Sequence, residues 1–409
     1  MTTRFVYRER VKNSIWPTAF KLLGRTIFDA PNVMPSERRV AQFEKYLLES
    51  DEMADAAAKD LFMSGRNHKA SFRLMNQVLE NGSTALEEIP ESFKNLVDVS
   101  YQDPKWLDRE KLERGSAVCR RLGGWAMTVL GDMALLGGYA NSEITKPLVF
   151  TGALKGDSTF DRVSETSQFW FDVTRANGLD IGAKGFKSAL KVRMMHAIIR
   201  QRLTNHPKWD SQAWGLPINK ADAVATNVGF SMVMLYGAKM LGFHLPNKDI
   251  EAVLHLWKYI GYLMGDEVGW LPNTAEEGLQ SLLLIMLSNQ NDPDEESKIL
   301  AYDYLNNYKP RASITEFDKY SFELFNFIKH RAYARYLIPF DIYKKLELPS
   351  SYMTWLVIPL IQTPTIFTLD RLRLVIPGMT KRMEEFGAKE QEKIIFDRMG
   401  ERQATYVPK

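Results

Sequence analysis

The sequence predicts an all-α protein, and three observations carry that reading. Apolar residues recur at spacings of three and four along most of the 409 residues. Asn-Gly and Asp-Gly turns between alternating runs, the mark of hairpins, are almost missing. Serine, threonine, asparagine and aspartate stand repeatedly just ahead of periodic apolar stretches, where helix caps belong.

Taken in order, residues 1–35 read as irregular, because Pro17, Pro31 and Pro35 interrupt the pattern. Ser36 caps a helix from Glu37 to about Leu61, and residues 68–81 form another. A loop is expected around Pro90 and Pro104. Within 108–138, charged DREKLERG passes into AVCRRLGGWAMTVLGDMALLGG. Gly124 and Gly131 share a face there, and small residues admit a second backbone or a flat ligand. Residues 139–157, with Pro147 and Gly152, read as a turn-rich link. Ser158 or Thr159 then caps a helix on which Arg162 and Thr166, four apart, stack on one face beside Glu165.

Gly178, Gly182 and Gly185 mark the turn into AKGFKSALKVRMMHAIIRQRL, around which the chain is organised. Ala189, Val192, His196, Ile199 and Leu203 fall on one face of that helix. His196 therefore points where the apolar residues point. A neutral imidazole there requires a partner for its polar nitrogens, or its burial costs roughly a few kcal/mol. A carbonyl, a carboxylate or a metal would each serve.

Asn219 with Asp222 forms a capping box ahead of AVATNVGFSMVMLYGAKMLG, a helix buried on nearly all sides in which Thr226 and Asn227 need partners. Residues 248–264 are amphipathic, with His255 off the apolar stripe. Asn273 or Thr274 starts the next helix, with Glu277 completing a box, and Asp292-Pro293 opens another. Residues 313–338 and 377–397 are helical. Between them, MTWLVIPLIQTPTIFTL is broken by Pro359 and Pro364; it packs into the core, covers a greasy cavity or touches a membrane surface peripherally.

Composition narrows the function classes. Fifty-three basic and 50 acidic residues leave a net charge of +3, too even to point to nucleic acid. The single Cys119 rules out an intrachain disulfide and any all-cysteine metal site. No HExxH, P-loop, GxGxxG or GxSxG pattern occurs, and no two of the six histidines stand three or four apart. The N-terminal stretch is charged and not a secretory signal, so a cytoplasmic placement is expected if Met1 is the native start. The length exceeds the ~250–300 residues at which one core stops growing. We expect a helical extension over 1–109, a functional core over 110–275, and helices of 276–409 packed on it as one compact unit; the oligomeric state stays open.

Several phrases, in order, resemble one family. They are PLVFTGAL, Arg162-x-x-x-Thr166 before QFWFDV, KVRMMHAIIR, WGLPINKADAVATNVGFS, the tryptophan helix and GWLP. Over roughly residues 110–275 the chain is similar to the rubber oxygenases, which include latex-clearing proteins and the fungal MpaB-type oxygenases. The resemblance implies a globin-like helical core holding haem b, with His196 as the iron ligand. It places Arg162, Thr166 and Thr226 near the cofactor, and cations such as Arg193 and Arg200, which flank the histidine, near its propionates. It implies O2 and an unsaturated lipid or isoprenoid as substrates. Latex-clearing proteins carry a lysine where this chain has Glu165, so no lysine reaches the iron from that position, and Glu165 becomes a partner for Arg162 or a proton acceptor. The family's upstream carboxylate falls nearest Glu143. A peroxidase-like haem enzyme and a non-enzymatic haem or lipid carrier are the competing readings.

Overall fold

The computed structural model describes residues 3–65, 67–82, 89–152, 157–289, 292–310, 316–351, 353–399 and 404, with only the backbone for 157–161. Among these residues every regular element is a helix. The histidine helix, Lys184–Thr204, packs against Glu52–Phe62, Asp157–Thr174 and Asn247–Met264. Phe186, Leu190, Met194 and Ile198 are buried as fully as Ala189, so the helix is enclosed on several sides rather than along one stripe. Gly178 and Gly185 seat its first turn. A Cβ on either would run into the carbonyl of Asp172, at the end of the preceding helix, so only glycine lets the two helices join this closely.

One buried cluster draws on the whole chain: Phe43 and Leu61 early, Trp170 and Ile198 in the middle, Leu283 and Tyr333 late. A smaller cluster around Leu136, Tyr304 and Tyr343 lies beside it. The caps do their expected work. Ser36 accepts from Arg39 N, Asn219 from Asp222 N and Thr274 from Glu277 N.

Several expectations are corrected. Residues 1–35 are not irregular: Tyr7–Asn13 and Trp16–Leu23 are helices, the second with Pro17 in its first turn, where a missing N–H costs nothing. The helix after Ser36 stops at Tyr46, and Asp51 caps a separate one, Glu52–Phe62. Pro90 introduces the helix Glu91–Ser100, and Ser142–Phe150 is helical with Pro147 inside it. The helix after the link is already under way at Asp157; the capping side chains expected of Ser158 and Thr159 lie outside the described residues. The cap of Glu295–Asn306 is Asp294, two residues beyond Asp292.

The largest correction concerns Thr354–Leu372, one continuous helix despite Pro359 and Pro364. Each proline deletes one bond of the ladder, and the turns on either side carry the helix on. Ile366 reaches the core, but much of the helix's apolar surface does not. Leu360 is 67% exposed and Ile361 65%, and Val375 just beyond the helix is 74% exposed. No helix of the described residues is long and apolar enough to cross a membrane.

Candidate functional site

The interior holds a cavity of about 930 Å3, at the upper end of the range for small-molecule pockets. Val192, Met195, His196 and Ile199 of the histidine helix form one wall. Arg162, Glu165 and Thr166 come in from the neighbouring helix and Thr226 from Lys220–Val228. The sequence-predicted residues on these helices thus share one cavity. Apolar and aromatic side chains complete it, among them Phe230, which stacks on Trp257 with centroids 5.0 Å apart.

His196 is the central polar group. Its ring opens onto the cavity rather than onto bulk water, and among the described residues its nitrogens meet no hydrogen-bond partner. Burial, then the nearby charges of Arg162 and Arg200, push its pKa down to about 3, against a smaller opposing pull from Asp51. At neutral pH it is a free, neutral imidazole facing apolar space.

Both threonines donate their hydroxyls to their own helices, Thr166 to Arg162 O at 3.0 Å and Thr226 to Asp222 O at 2.8 Å. They offer oxygen lone pairs to the cavity and no proton. Arg162 and Glu165 stand 3.9 Å apart, each about a quarter exposed. Buried Asn227 is satisfied by Trp257 O and Asp266.

Arg193 and Arg200 do not line this cavity. Arg193 makes a two-pronged pair with Asp51, at 2.7 and 3.0 Å, and Arg200 meets Asp55 at 2.7 Å and Ile218 O at 2.7 Å. In a low-dielectric interior each guanidinium needs a carboxylate, and the helix Glu52–Phe62 and its cap supply both. Gly124 and Gly131 admit close protein contacts, and Gly131 also lines the cavity. Gly124 N donates to Glu390, and a Cβ on Gly131 would strike the Tyr304 hydroxyl. Glu143 is buried but absent from the cavity wall, with Oε2 unpartnered among the described residues.

Sequence reasoning missed Asp266. It sits in the turn after Asn247–Met264, where Gly265 takes a left-handed conformation (φ 81°) and Asp266 N bonds back to Gly261 O. Its carboxyl lines the cavity, and burial raises its pKa to about 7 although Asn227 donates to it. Behind His196 lies a chamber of about 20 Å3 bounded by Asp266, Asp51 and Arg193, with room for about one water molecule. Only a Gly-Asp turn signal in the sequence pointed there. Among the described residues, no three His, Cys, Asp or Glu side chains converge to hold a metal ion.

Residues 120–362 match the family model described as ER-bound oxygenase mpaB/B′/Rubber oxygenase, catalytic domain. The chain is 24% identical over 204 residues to the rubber oxygenase of Streptomyces sp. (strain K30), an overlap of 49% of this chain and 49% of that protein. It thus spans about half the length of this curated relative. Its fold is that of latex clearing protein LCP in the closed state, with a TM-score of 0.65 at 18% identity, covering 85% of this chain and 91% of that one.

Proposed function

The chain belongs to the family that joins the ER-bound oxygenases mpaB and B′ with rubber oxygenase, and on that premise we propose that it is a haem b oxygenase that uses O2 to cleave or oxidise a carbon–carbon double bond of an isoprenoid or other unsaturated lipid. One observation carries the reading: a neutral imidazole, His196, without a protein partner among the described residues, facing a cavity of about 930 Å3 with mostly apolar walls.

The residues present fit the group. Haem brings its own iron and asks the protein for one neutral imidazole, an apolar pocket and an acceptor behind the imidazole. His196 is that imidazole, and the small chamber sets Asp266 and Asp51 behind it. When bound, haem supplies the iron at which O2 is activated. The rest of the work belongs to the chain. Met195, Ile199, Phe230 and Leu130 exclude water and hold a hydrocarbon. Arg162 and Glu165 are the polar groups on the neighbouring helix, and Glu165 brings no amine to the site. Thr166 and Thr226 orient a donor by accepting from it. Asp266, whose Oδ2 accepts from Asn227, keeps its carboxyl proton up to near-neutral pH and so acts as a local proton store. A peripheral lipid contact through Leu360, Ile361 and Val375 would deliver a water-insoluble substrate.

The test is O2 consumption by the purified protein with an unsaturated isoprenoid such as squalene. The reading expects O2-dependent carbonyl products that disappear with the saturated analogue. Haem binding without turnover of any unsaturated lipid would make the protein a carrier.

A further inference from the structure

The C-terminal helix, Met379–Met399, brings to the same cavity a group that the oxygenase reading leaves unused. Arg398 lines the cavity beside Ser167, Tyr308 and Tyr304. Its guanidinium donates to Ser167 Oγ at 3.1 Å and to the Tyr308 hydroxyl at 3.1 Å, and both partners are neutral. Among the described residues no carboxylate oxygen lies within 4.0 Å of it. Its link to a carboxylate is instead a one-way chain of hydrogen bonds. Tyr308 and Tyr304 share a hydrogen bond of 3.2 Å, and Tyr304 donates to Asp132 at 2.9 Å. His330 Nδ1 closes on the other oxygen of Asp132 at 2.8 Å, and its ring stacks on Tyr308 with centroids 3.6 Å apart. Gly131 is what lets the Tyr304 phenol come in beside Asp132.

A guanidinium has five N–H donors in a planar fork. Here two acceptors are named, and the group faces a cavity rather than bulk water. Buried cations are normally paired, as Arg193 and Arg200 are in this molecule. A fork of this kind matches a carboxylate. Arg162 and Glu165 on the adjoining wall stand 3.9 Å apart and offset one another, so Arg398 is left as one positive charge to be matched by one negative charge. The remaining walls are apolar and suit a long hydrocarbon.

We propose that Arg398, supported by Tyr308 and Ser167, is a carboxylate anchor, so that the cavity takes a ligand with one acid group on an otherwise apolar body. The acid group has two possible sources, a long-chain unsaturated acid as substrate or a propionate of the macrocycle. The first source deepens the oxygenase reading and rests on it. Arg398 lies beyond residues 120–362, which match the family model.

Two pairs of ligands test it on the purified full-length protein. The first is oleic acid against oleyl alcohol, with binding measured by calorimetry. The second is hemin against its dimethyl ester, with retention measured on a desalting column. A charge-assisted bond predicts that the wild type favours the acid member of at least one pair by about tenfold or more. Arg398→Gln should erase that preference and Arg398→Lys should keep part of it, with the circular dichroism of all three unchanged. Loss confined to the oleic acid pair identifies a substrate carboxylate, and loss confined to the hemin pair identifies a propionate. If Arg398→Gln or, should it misfold, Tyr308→Phe with Arg398→Lys alters neither preference, the anchor is overturned. A protein that never takes up hemin defeats the haem reading, yet its oleic acid arm still reports on Arg398.

Discussion

The region behind His196 and the cavity wall of the C-terminal helix handle positive charge in opposite ways. Behind His196, each cation has its own carboxylate, Arg193 with Asp51 and Arg200 with Asp55. The imidazole between them is neutral and, among the described residues, without a hydrogen-bond partner. On the wall of the C-terminal helix, Arg398 meets only hydroxyls among the described residues, and the carboxylate at the end of its chain, Asp132, is two tyrosines away. In the first arrangement the paired cations call for no further anion, while burial and the residual positive charge of Arg162 and Arg200 keep the imidazole neutral. The second keeps a cation available to whatever enters. Local electroneutrality, more than polarity as such, separates a wall that presents a lone pair from a wall that attracts an anion.

Removing a carboxylate from the first region should have the largest effect. Asp51→Ala leaves the Arg193 guanidinium buried and alone and costs about 3–5 kcal/mol, whereas Tyr308→Phe in the second costs about 1 kcal/mol. Urea unfolding of the two variants checks this, and equal losses would dissolve the contrast.

The next effect is pH-dependent and sharpens the account of the first region. Asp266 has a folded pKa of about 7 against an ordinary 3.8, so the folded state holds an extra proton between those values. Its contribution to stability therefore falls as pH rises through that window. His196 in the cofactor-free protein has the opposite sign: its folded pKa of about 3 lies below 6.5, and its contribution is lost as pH falls between them. Asp266→Asn should thus gain melting temperature over the wild type as pH rises through the window from 3.8 to about 7. A constant difference across that range would remove Asp266 from the account.

The polar pair on the helix Asp157–Thr174 should matter least to stability. Glu165→Gln breaks a partly exposed contact of 3.9 Å and changes folding by less than about 0.5 kcal/mol. Its rate profile is the informative readout: a wild-type turnover at every pH would exclude Glu165 as a proton acceptor.

Much of this was legible in the sequence. The all-α class followed from periodicity, and the ordered motifs around Arg162, His196 and Thr226 pointed to the family that the comparisons show. Caps at Ser36, Asn219 and Thr274 were readable because a cap is a local bond between near neighbours. Prolines misled. Pro147, Pro359 and Pro364 sit inside helices, since one lost bond is outweighed by the turns on either side. What stayed hidden depends on distant pairing. Asp51 and Arg193 are 142 positions apart, and Tyr304 and Asp132 are 172 apart, so no local pattern announces either contact. Arg398 and Asp266 belong to the same class, because a single charged residue acquires meaning only from the wall on which it lands.

The most direct measurement is the absorption spectrum of the purified protein, oxidised and reduced, beside that of His196→Ala, with His255→Ala and His206→Ala as controls. The account predicts a Soret band that the wild type and both controls retain and that His196→Ala loses. Equal haem content in all four proteins, or no Soret band in the wild type after exposure to hemin, would contradict it.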